Sequence, residues 1–134
     1  MATIRKEIHT SAPADHVWDV IRDIGAIHTR LAPGYVTDTR LEEGGAARVV
    51  TFANGAVARE LIVTLDNDSR RLAYSVVGGM ATHHNASFQV FPSADGKGTT
   101  LVWITDLLPN TIAPAFTAMI EGGATVIKRT LDDH

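Results

Sequence analysis

The sequence predicts an α+β fold in which a curved antiparallel sheet wraps around a long C-terminal helix. Three observations lead there. Apolar residues alternate at period two over residues 3–10, then recur at helical spacing just beyond. Six further β-like runs follow, roughly 35–42, 46–53, 56–66, 71–77, 84–91 and 99–107, with turn residues between them. From Asn110 the helical period returns, with Ile112, Phe116, Met119, Ile120, Gly123, Ile127 and Leu131 on one face. A stripe of that length must bury itself against something large, and the sheet is the candidate.

Each element has its own local reason. Ile4 and Ile8 share one face of the first strand, and Arg5, Glu7 and His9 the other. Pro13 suits a first helical turn, where its missing N–H is no loss, and Asp15 complements the helix dipole. Val17, Trp18, Ile21 and Ile24 then build a helix of about three turns that Gly25 ends. A second short helix is expected over 26–31, closed by Pro33-Gly34. Asn54-Gly55 between two apolar runs is the strongest hairpin signal, because both residues tolerate positive φ. The short loops imply antiparallel pairing of sequential strands. Pro114 fits only the first turn of the terminal helix.

The 134 residues suit one domain, 1–134, with no linker or repeat to divide it. Twelve Lys+Arg against fifteen Asp+Glu give a net charge of −3, which argues against a nucleic-acid footprint. The absence of cysteine excludes disulfides, Cys-zinc sites and thiol catalysis. No apolar run approaches the roughly 18 residues of a membrane span, and the N-terminus shows no apolar signal core. A cytoplasmic location is the default expectation. No glycine pair fits a phosphate-binding loop, and no cofactor is expected.

Some residues invite chemistry. Glu60 lies in Val57–Val63, apolar on both sides of it. Facing inward, it would be desolvated and could serve as general acid/base or ligand anchor; the plain alternatives are an ion pair with Arg48 or Arg59, or solvent exposure. Tyr74 shares parity with Leu72 and Val76, so its ring would line an interior wall, unless it is a core tyrosine bonded to the backbone. His83 and His84 point to opposite faces of a strand, and parity with Ala86 and Phe88 turns His84 inward. Asp15, His16 and Asp19 are better explained as the polar face of the first helix than as metal ligands, and no metal is expected. Trp18 reads as core. Trp103 either lines the interior or packs on a second subunit, which makes a homodimer through its strand a third expectation. Gly122-Gly123 stands inside a helix, where each glycine costs about 1 kcal/mol against alanine. Gly123 either deepens a cavity or permits close packing.

The sequence also resembles a known superfamily. The motifs are Ser11-Ala12-Pro13 with Val17-Trp18, Asp23-Ile24-Gly25, Pro33-Gly34, Arg48-Val49-Val50-Thr51-Phe52 with Asn54-Gly55, Arg59-Glu60-Leu61, Arg70–Ser75, Gly78-Gly79, and Leu101-Val102-Trp103 before the terminal helix. Over essentially the whole chain they resemble the helix-grip proteins of the START and birch-pollen-allergen type (SRPBCC), in the polyketide cyclase/dehydrase-like branch. The resemblance implies a seven-stranded sheet gripping the last helix, with a cavity between them for an apolar or amphipathic molecule. Glu60, Tyr74, Val76, Phe88, Trp103, Phe116 and Ile120 match its pocket positions. Two readings follow. In the first, the cavity binds a hydrophobic or aromatic molecule, lipid- or polyketide-like, touched also by Arg48, Phe52 and His84, with Arg48, Glu60, Tyr74 and His84 orienting its polar groups. In the second, an aromatase/cyclase or dehydratase uses Glu60 with His84 or Tyr74 as an acid/base pair in the same cavity.

Overall fold

The computed structural model describes residues 2–134. Strand β1 (Ala2–Thr10) leads into helix α1 (Ala14–Arg22) and a single π-helical turn, Ile27–Leu31. Six strands follow: β2 (Val36–Glu42), β3 (Ala47–Phe52), β4 (Val57–Asp66), β5 (Arg71–Val77), β6 (His83–Pro92) and β7 (Thr99–Leu108). Helix α2 (Ala113–Asp132) closes the chain, entered through a 3₁₀ turn at Asn110–Ile112. All seven strands form one antiparallel sheet in the order β1-β7-β6-β5-β4-β3-β2. The predicted helix-grip architecture is the one observed.

The differences from expectation are local. The second short helix is π-helical, with Ala32 N–H bonding to the Ile27 carbonyl, and α1 stops at Arg22 rather than Ile24. No side chain caps α2; the 3₁₀ turn at Asn110–Ile112 leads into it instead. At the β3–β4 turn Gly55 has φ +90°, but Asn54 does not share the positive φ. Its Oδ1 instead accepts from Ala56 N–H at 2.9 Å, closing the turn through a side chain.

The sheet curls because β4 carries an extra residue. Ile62 pairs with Tyr74 and Thr64 with Ala73, so Val63 is bulged and the strand bends there. The concave face receives α2 through Ile120, Gly123, Ala124, Ile127 and Leu131, all buried. Trp18 is core, as expected, and its Nε1–H donates to Asn67 Oδ1 at 3.0 Å. Asp15 and Asp19 form ion pairs with Arg70 and Arg30 respectively.

The end of α2 is tied to the sheet. Asp132 Oδ1 accepts from the Thr10 hydroxyl at 2.6 Å and from Ser11 N–H at 3.1 Å, and Lys128 Nζ donates to the His9 carbonyl at 2.6 Å. Gly98 makes this junction possible. It has φ +87°, and a Cβ built there would lie 2.2 Å from the Thr10 carbonyl oxygen. Gly98→Ala is therefore expected to destabilise the fold by more than the ~1–2 kcal/mol of a left-handed residue alone. Chemical denaturation should show it, and a loss below about 1 kcal/mol would contradict the geometry.

Candidate ligand cavity

A cavity of about 110 Å³ lies between the concave sheet, the π-helical turn and α2. Its walls are mostly apolar. Tyr74, Phe88 and Trp103 stand on β5, β6 and β7; the Phe88 and Trp103 rings stack at 4.8 Å between centroids, Tyr74 and Phe88 at 6.3 Å. They line up because Phe88 pairs directly with Trp103 across the sheet and all three point inward. Phe116 and Ile120 come from α2, and Ile27, Leu31 and Ala32 from the π-helical turn and the residue after it.

Two charged groups sit together in the wall. Arg48 and Glu60 are register partners on β3 and β4. Arg48 Nε donates to Glu60 Oε1 at 2.8 Å, its Nη1 donates to the Ile24 carbonyl at 3.3 Å, and its guanidinium lies 5.0 Å from the Tyr74 ring centre. Arg48 is 3% exposed and Glu60 7%. Burial pushes the Glu60 carboxyl above its ordinary value, while the Arg48 charge and hydrogen bond pull against that rise. Burial, with the nearby Glu60 charge, also pushes the Tyr74 hydroxyl up, which keeps it protonated. The indole N–H of Trp103 is close enough to influence that hydroxyl, yet it makes no hydrogen bond of ordinary geometry. His84 packs edge-on against Phe116 at 5.2 Å, and burial lowers its pKa, favouring the neutral ring.

Of the ten ligand-contacting residues expected from sequence, nine line this cavity: Arg48, Phe52, Glu60, Tyr74, His84, Phe88, Trp103, Phe116 and Ile120. Val76 does not; it pairs with Glu60 and packs against the core beside the cavity. The inward Glu60 and the Arg48 ion pair, weighed as alternatives, occur together. Arg59 faces the other way and pairs with Glu42 and Glu43. The Trp103 ring lines the cavity from β7, a strand flanked by β1 and β6.

Among the polar lining residues, sequence reasoning missed Tyr35 and Thr105. Thr105 shares parity with Trp103 and could have been found by counting. Tyr35, expected at the start of the run 35–42, lies instead in the turn after Pro33-Gly34, one residue before β2. Its ring lies over both helix glycines, and its hydroxyl donates to the Met119 carbonyl at 2.5 Å. A Cβ on Gly123 would stand 3.3 Å from Tyr35 Cε1 and 3.4 Å from Trp103 Cη2. Both proposed reasons for that glycine therefore hold: it borders the cavity, and two aromatic rings pack on its bare face.

The family described as polyketide cyclase / dehydrase and lipid transport matches residues 1–133. The chain belongs to this family. No curated protein matches this polyketide cyclase/dehydrase-type chain. Solved structures share its fold. An uncharacterised protein from Bacillus thuringiensis superposes with a TM-score of 0.86 at 16% identity, over 97% of this chain and 98% of the other. A START superfamily protein from Mycobacterium smegmatis gives 0.72 at 10% identity, over 98% and 94%. Norcoclaurine synthase from Thalictrum flavum gives 0.74 at 22% identity, over 99% and 87%, and has also been solved in complex with dopamine and hydroxybenzaldehyde. At these identities the likeness establishes the polyketide cyclase/dehydrase-type fold. No helix among the described residues is long and apolar enough to cross a membrane.

Proposed function

We propose that this protein binds a small apolar or aromatic molecule between its sheet and α2, with burial against the rings supplying most of the affinity. The observation that carries the reading is a mostly apolar cavity with a buried, hydrogen-bonded Arg48–Glu60 pair in its wall. Its volume, about 110 Å³, is of the same order as the roughly 150 Å³ apolar cavity that takes up benzene, and below the ~300–1,000 Å³ of drug-sized pockets. A one-ring compound matches it better than a long acyl or polyketide chain. A fold relative that holds dopamine and hydroxybenzaldehyde supports ring compounds as ligands of this architecture.

The cyclase or dehydratase reading needs an acid/base pair. Glu60, its proposed proton carrier, is engaged by Arg48, whose guanidinium does not give up its proton, while Tyr74 and His84 line the same cavity. Binding is the function this geometry supports best.

Trp103 lines the cavity and reports on it. Titration with one-ring compounds is expected to change tryptophan emission saturably, at one site per chain, and the change should vanish in Trp103→Phe. A linear, unsaturable response in the unaltered protein would remove the proposal.

A further inference from the structure

We infer that the cavity selects an uncharged ring compound whose polar group both donates and accepts a hydrogen bond, a primary carboxamide being the simplest such group. The inference rests on the reading that the cavity binds a small molecule, and it names the class of that molecule.

The argument starts from what the Arg48–Glu60 pair leaves unused. Nε and Oε1 bond to each other, and Nη1 bonds to the Ile24 carbonyl. Arg48 Nη2, a donor, and Glu60 Oε2, an acceptor, make no hydrogen bond with another described residue. Unpartnered side-chain polar atoms that are sealed from all solvent-sized space do occur among the described residues, at His28 Nδ1, Thr39 Oγ1 and Trp103 Nε1. Nη2 and Oε2 are not among them. Both residues are more than nine-tenths buried and both line the cavity, so the space these two atoms meet is the cavity. Arg48 and Glu60 thus offer the cavity one donor and one acceptor from adjacent side chains, alongside the hydroxyls of Tyr74 and Thr105, which can each serve as either.

Charge sharpens the selection. Arg48 and Glu60 balance each other, and the remaining titratable side chains on the wall, His84, Tyr35 and Tyr74, favour their neutral forms. An anionic ligand would gain Arg48 but face Glu60 while losing its own hydration, and a cation meets the mirror problem. A plain hydrocarbon ring would leave Nη2 and Oε2 both unpaired once it filled the space. A ketone satisfies the donor and leaves the acceptor. A carboxamide satisfies both, and its ring can lie along the Tyr74, Phe88 and Trp103 stack.

The test is calorimetric titration of the unaltered protein with five ring compounds of similar size: benzamide, acetophenone, ethylbenzene, benzoate and benzylammonium. Benzamide is expected to bind tightest, by at least about tenfold over ethylbenzene and over either ion, with acetophenone between. In Glu60→Gln, checked for folding by circular dichroism, the cavity keeps the Arg48 charge without its partner. Benzoate should then gain at least about tenfold relative to benzamide. Ethylbenzene or an ion binding as tightly as benzamide to the unaltered protein overturns this inference and leaves the binding function standing. No binding by any of the five removes the binding function and this inference with it. The series on the unaltered protein decides the matter even where the variant fails to fold.

Discussion

Arg48→Met is expected to lower the unfolding free energy by about 3–5 kcal/mol at neutral pH, the usual cost of stranding one member of a buried ion pair. The carboxylate of Glu60 would lose its Nε–H partner at 2.8 Å and remain buried among rings and aliphatic carbons. The loss should depend on pH in a definite direction. In the unaltered protein burial raises the Glu60 carboxyl above 4.5 and Arg48 opposes the rise. Without Arg48 only the rise is left. A group with a higher pKa folded than unfolded binds more protons in the folded state, so stability falls as pH climbs between the two values. The penalty of Arg48→Met is therefore smallest below the unfolded pKa and full above the raised folded one. Urea unfolding at pH 4.5 and at pH 8 would show this, and a pH-independent loss would contradict it. Replacing both partners, Arg48→Met with Glu60→Leu, should recover most of the stability, because nothing charged is left behind.

Gly123→Leu is expected to abolish ring binding while leaving the protein folded. The first added carbon already meets Tyr35 and Trp103 at 3.3 and 3.4 Å, and the rest of the side chain must enter the cavity. Overpacking of this kind costs about 1–3 kcal/mol, offset by roughly 1 kcal/mol from removing a glycine inside a helix. The fold should thus lose little, whereas saturable binding of a one-ring probe should disappear. Retained binding at unchanged affinity would mean that the ligand sits elsewhere. Gly122→Ala makes a control, since its new carbon meets Tyr35 alone, at 3.4 Å.

Sequence reasoning recovered the site unevenly, for physical reasons. Period two turned Tyr74, His84 and Phe88 inward, because strand parity is a rigid rule over a few residues, whereas Glu60 and Trp103 stood out as matches to the family's pocket positions. The same parity also turned Val76 inward, but parity sets a direction and not a depth. Val76 lies beside the cavity, next to Glu60, and contributes to the core instead. Tyr35 was invisible because it belongs to a turn, held by its hydroxyl bond to the Met119 carbonyl and by its own carbonyl accepting from Ala53 N–H. The choice of Arg48 over Arg59 as the partner of Glu60 followed from register, which pairs Arg48 across from it and sends Arg59 to the outer face. The Asn54-Gly55 hairpin was legible as a turn. Its internal geometry was not, since an asparagine can either adopt a positive φ or satisfy the backbone with its side chain, and here it does the latter.

The strand order has a consequence for how the chain is made. Residues 2–10 find their sheet partners in residues 99–107, so β1 has nowhere to dock until β7 has been made. During synthesis β1 waits as an unpaired ribbon while β2 to β6 can already zip into a meander, and the closing contact is the one of longest reach. Closing the sheet at β1 thus depends on the strand that is made last of the seven.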